Sequence, residues 1–98
     1  MNTSVFNQKD ILEIFKEIIL SHNNNLLGLE YYDIKLTSSL YDLGFDSLDV
    51  AEISMNLESK LNITIKDEEV EHILMRKSVE EIMDFLHDRY IKHQKSER

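Results

Sequence analysis

Ninety-eight residues fit one domain with one small core, so a single domain over 1–98 is expected. The absence of cysteine excludes disulfides and thiolate metal sites, and a net charge of −8 argues against a nucleic-acid partner, whose phosphates attract lysine and arginine. No apolar run approaches the ~18 residues that span a bilayer, and Met1-Asn2-Thr3-Ser4-Val5 lacks the basic and apolar segments of a secretion signal, so the chain reads as soluble, cytoplasmic and not inserted in membranes.

Helical periodicity dominates the chain. It has no proline and only two glycines, Gly28 and Gly44, and nothing in it repeats. A first helix is expected from about Asn7 to Ser21. Ile11, Phe15, Ile18 and Ile19 fall at helical spacing, and Leu12 and Ile14 widen the stripe. Asn7 is placed to cap it, with Asp10 at the third position, where the helix dipole favours an acid. His22-Asn23-Asn24-Asn25 ends it. The segment 23–46 shows no long periodic pattern, and a connection of that length is commonly functional or packed by its own side chains. Leu26, Leu27, Leu29, Tyr31, Tyr32, Ile34, Leu36 and Leu40 supply apolar groups for it to bury, with a short turn near 39–43.

A second helix is expected over 47–61, with Asp46 as N-cap. At about 100° per residue, Val50, Ile53, Leu57 and Leu61 form one core-facing stripe. Leu48, Ala51 and Met55 lie on the opposite side, flanked by Glu52 and Glu58. A surface helix needs only one apolar stripe. The second, rimmed by acids, has the make-up of a small interface, an apolar centre with a charged edge, and methionine suits a surface that meets several partners. A plainer account packs Leu48 or Met55 under the long loop.

A short third helix is expected over 67–73, its first turn filled by Asp67, Glu68 and Glu69. A fourth should run over 78–90, opened by a Ser78/Glu81 capping box and buried through Val79, Ile82, Leu86 and Tyr90. The polar tail from about 92 to 98 reads as frayed. The expected fold class is all-α: a small four-helix bundle with a long loop between helices 1 and 2 and a short helix 3.

Charge is unevenly placed. Residues 42–71 hold nine acids and two bases, a net −7, and the rest of the chain is close to neutral at −1. This bias begins at the run Asp42-Leu43-Gly44-Phe45-Asp46-Ser47-Leu48-Asp49. Ser47 follows a glycine turn and opens a helix. A nucleophilic serine needs a neighbouring base and an oxyanion hole, and the residues two before and two after Ser47 are Phe45 and Asp49, not the glycines of a nucleophile elbow. His22, His72, His87 and His93 show neither triad nor metal spacing and read as ordinary surface or boundary residues. The D-x-D-x-D-G pattern of calcium loops is missing, so no metal site is expected. A phosphodiester on Ser47, by contrast, would meet free backbone N–H groups and the positive end of the helix dipole, worth roughly 0.3–1 kcal/mol at an exposed site.

Leu43-Gly44-Phe45-Asp46-Ser47-Leu48-Asp49 resembles the attachment motif of the acyl carrier protein family. The likeness continues through Glu52-Ile53, Met55, Leu57-Glu58, Ile65 and Asp67-Glu68-Glu69, and covers about 38–89. The resemblance implies a carrier and not an enzyme, a monomer with no catalytic residues. A phosphopantetheinyl transferase using coenzyme A would attach 4'-phosphopantetheine to Ser47, flanked by Asp46 and Leu48, and the arm's thiol would hold an acyl group as a thioester. Asp49, Glu52, Met55 and Glu58 match positions that meet acyl-transferring and acyl-modifying enzymes through basic docking patches. Ile53, Leu57, Ile65 and Ile73 would line a space for the acyl chain. The resemblance points to fatty acid, polyketide or related biosynthesis. Peptidyl and D-alanyl carriers share the fold and the serine, and an unmodified acidic helical interaction module is the reading from a different class. Lys66 stands where the family often has proline, and Asn56 and Lys60 replace residues that are often small or acidic.

Overall fold

In the computed structural model, which describes residues 5–96, caps set where the helices begin. Helix α1 (Gln8–Ser21) starts at Asn7, whose side chain accepts from the Asp10 N–H while the Asp10 carboxylate accepts from the Asn7 N–H. This reciprocal box satisfies two of the N–H groups a helix start leaves open. The same device opens α2 (Ser47–Leu61), where Asp46 and Asp49 exchange bonds. Asn62 ends α2 in the left-handed conformation, which asparagine tolerates better than most residues. Helix α3 (67–74) is one α turn, Asp67–Glu69, running into a π turn, Val70–Leu74. Helix α4 (Val79–Ser96) follows Ser78, whose hydroxyl accepts from the Glu81 N–H. No strand forms among the described residues; an isolated antiparallel bridge joins Ser39 to Ser78.

The fold is thus an all-α, four-helix arrangement with a short third helix. Helix α1 packs on α2 and α4, and α3 packs on the same two. Ile11, Phe15 and Ile19 of α1, Val50, Ile53, Leu57 and Leu61 of α2, and Ile82 and Leu86 of α4 are buried together. These are the stripes that helical spacing isolates, which is why the core follows from periodicity.

Two segments differ from the sequence expectation. Helix α4 continues to Ser96 instead of fraying from about 92. No glycine or proline stops it, and Lys92 pairs with Asp88 one turn back. Residues 97 and 98 of that expected tail lie outside the described residues. The long connection buries Ile34 and Leu40 but leaves Leu26, Leu27, Tyr31, Tyr32 and Leu36 exposed. At its start Asn23, Asn24 and Asn25 all have positive φ, near +51 to +55°, so the chain leaves α1 through a left-handed turn that asparagine accepts at low cost. The Asn25 side chain then brackets the Leu29 N–H and carbonyl. Two 3-10 turns, His22–Asn25 and Tyr31–Asp33, give this connection what regular structure it has.

Candidate attachment site and docking face

The site begins in the turn before α2. The Gly44 N–H donates to the Tyr41 carbonyl at 3.0 Å, and the Phe45 N–H donates to the Leu40 carbonyl at 3.1 Å. Gly44 has φ +105°, a conformation open to glycine and strained for other residues. An added Cβ would also stand 3.3 Å from the Leu27 side chain. This turn buries Phe45 while returning the chain to the surface at Asp46. Ser47 is therefore the first residue of α2, and it is exposed. No protein group among the described residues bonds its hydroxyl. Among the described residues no base is hydrogen-bonded to it, the pairing an activated serine uses. What surrounds it is the amino end of a fifteen-residue helix, with open N–H groups and a positive dipole end.

The residues expected at a docking face divide into two kinds. Leu48 and Met55 are exposed by 68% and 58%, and Glu52 is exposed beside them. Asp49 and Glu58 are engaged within the protein. One Asp49 oxygen accepts from the Asp46 N–H, and the other faces His22 Nε2 at 2.9 Å and Asn23 Nδ2 at 3.2 Å. The Glu58 carboxylate accepts from the Ile65 N–H at 2.8 Å, bracing the turn into α3. The hydrogen bond from His22, then that from the Asp46 amide, holds the Asp49 carboxyl below its usual range.

His22 departs most from its sequence reading. Its side chain is only 6% exposed, and its ring meets Phe45 edge-on at 5.9 Å between centroids. Nε2 lies 3.7 Å from Glu52 as well. Possible metal-ligand atoms of His22, Asp49 and Glu52 all lie within 4.8 Å of one another, a grouping that sequence spacing does not reveal, because twenty-seven residues separate His22 from Asp49. The hydrogen bonds account for this arrangement. It ties the end of α1 to the acidic face of α2.

A groove of about 490 Å³ runs between α2 and α3. Ser47 stands on its wall with Val50, Ala51, Ser54, Met55 and Ile65, and α3 contributes Val70. Of the four residues expected beside an acyl chain, Ile65 lines this groove. Ile53 and Leu57 are wholly buried in the core, and Ile73 is half-buried away from the lining.

The family model for a phosphopantetheine attachment site matches residues 24–86. With the helical bundle, that match defines the class: a domain that bears a covalent prosthetic group. The chain is 36% identical over 77 residues to the acyl carrier protein of Clostridium acetobutylicum, covering 78% of this chain and 91% of that one. It is 41% identical over 61 residues to the acyl carrier protein of Exiguobacterium sibiricum, covering 61% and 73%. Against that of Wolinella succinogenes it is 42% identical over 64 residues, covering 64% and 79%. The chain belongs to the acyl carrier protein family, whose cofactor is phosphopantetheine and whose members carry groups instead of transforming them. No helix among the described residues is long and apolar enough to cross a membrane.

Proposed function

We propose that Ser47 bears 4'-phosphopantetheine and that the chain delivers acyl intermediates, as thioesters on that arm, to enzymes of fatty acid, polyketide or related biosynthesis. The observation that carries this reading is the exposed Ser47 at the start of α2, its hydroxyl unbonded among the described residues and beside an open groove. The residues present fit the group. The open N–H groups of the first turn of α2 favour a phosphodiester, and the hydroxyl is free to enter a transferase. When bound, the arm supplies the thiol that a chain without cysteine lacks.

The protein's own residues do the rest. Asp46 and Asp49 fix the first turn of α2, which holds the Ser47 backbone at the helix start. Leu48, Met55 and Glu52 form the face that meets basic docking patches, with the apolar pair at the centre and the acid at the rim. Asp49 adds its charge while bonded to His22. Glu58 adds charge as it braces the turn into α3. The partners are a phosphopantetheinyl transferase and the enzymes that load, modify and unload the acyl group. An acyl cargo is favoured over an aminoacyl one by the groove, where Val50, Ala51, Ile65, Val70 and Met55 offer apolar surface.

Peptide mapping tests the attachment point. After incubation with coenzyme A and a promiscuous transferase, the added mass should fall on the peptide containing Ser47. A gain on another serine would overturn the assignment.

A further inference from the structure

A second cavity, of about 600 Å³, lies between the loop before α2 and the loop after α3. Its size is that of a small-ligand site, about 300–1,000 Å³. The two cavities share one residue, Met75. They differ in chemistry. The α2–α3 groove has acids at its edge, Glu58, Asp67 and Glu71, and no base on its walls. The second cavity has one acid, Asp42, and one base, Arg76, with the Thr37 hydroxyl and the Tyr41 phenol.

None of these four side-chain groups has a partner within the described residues. Exposed polar groups are commonly satisfied by water, so the lack of a partner alone decides nothing. All four residues line one cavity, which adjoins at Met75 the groove that holds Ser47, and that placement points to a ligand. An anion would meet the Asp42 carboxylate, and a cation would meet Arg76. A neutral chain rich in amides suits both, since its N–H groups donate to Asp42 and its carbonyls accept from Arg76, Tyr41 and Thr37.

We propose that this cavity is a resting place for the amide-bearing middle of the phosphopantetheine arm when no acyl group is attached. Met75 then divides two resting places near the attachment point: an apolar groove for the acyl chain and a polar cavity for the unloaded arm. The proposal rests on the reading that Ser47 bears the arm, and it assigns Thr37, Tyr41, Asp42 and Arg76 a role in holding it.

The test compares the unmodified and modified protein by amide NMR, with intact mass confirming the attachment. Modification should shift the amides of Thr37, Ser39, Tyr41 and Arg76 in addition to those flanking Ser47. In the double variant Asp42→Asn/Arg76→Ala, both exposed positions, the mass gain should persist. The shifts at Thr37 and Ser39 should vanish, and those beside Ser47 should remain. Shifts confined to residues beside Ser47 or to the α2–α3 groove would overturn the proposal. So would an unaltered pattern in the double variant. A protein that gains no mass would overturn the attachment reading and this one together, and the mass spectrum tells that failure from the others.

Discussion

Gly44 and Asp49 show how single residues prepare the serine. At φ +105°, with Leu27 3.3 Å from where a Cβ would stand, Gly44→Ala should cost about 1–2 kcal/mol. Urea unfolding measures this, and an unchanged midpoint would mean that the turn relaxes without strain. Asp49 holds its proton less tightly folded than unfolded, through His22 first and the Asp46 amide second. The unfolded chain therefore binds more protons across that window, and stability rises with pH there. The contribution is fully present above the ordinary aspartate value, about 3.9, and is lost as pH falls through the lower folded value. Asp49→Asn should flatten the dependence of melting temperature on pH below about pH 4; an identical slope would contradict the linkage. At this scale the Asp46 cap and the start of α2 at Ser47 were legible, because capping chemistry is local. The sequence did not show His22 beside Asp49, because that contact arises where the end of α1 packs on α2, 27 positions away in sequence.

Among the elements, α3 is held differently from the others. It offers one α turn and one π turn, too few hydrogen bonds to persist alone. A fork from α4 supports it. Arg89 donates both to the Glu69 carboxylate and to the Thr64 carbonyl, the latter at 2.6 Å. Arg89 holds the Glu69 carboxyl below its usual range. Arg89→Ala should cost about 1–2 kcal/mol in urea, the scale of a charged hydrogen bond discounted for partial exposure. It should also speed amide exchange over 67–74 more than in α1 or α2, since α3 forms a wall of the groove. Equal protection in parent and variant would remove the fork as its anchor. Helices α1 and α2 were legible to within a residue because a cap and a stripe mark each. The π turn of α3 and the added length of α4 were not, since the first answers to packing and the second to an absent stop signal.

At the scale of the whole molecule, charge gives direction. Residues 42–71 carry a net −7 and include Ser47; under the proposed function that charge would speed encounters with basic partners and would weaken with salt. Glu52 is the exposed acid between Leu48 and Met55. Glu52→Lys should slow transfer to partner enzymes at low salt, and the gap from the parent should narrow as salt screens both. Equal rates at low salt would count against the docking face. The bundle followed from periodicity, and so did the exposure of Leu48, Glu52 and Met55 on the second stripe of α2. The polar cavity at Arg76 did not, because it joins two loops far apart in sequence, and no periodic pattern reports on loops.

One measurement bears most directly on the central claim. Parent and Ser47→Ala proteins are incubated with coenzyme A and a promiscuous phosphopantetheinyl transferase, beside a known carrier, and their intact masses and helicity are recorded. The parent should gain one phosphopantetheine, and the variant should gain none while keeping the parent's helical spectrum. A parent that stays unmodified while the control reacts, or a variant that still gains the mass, would contradict the account.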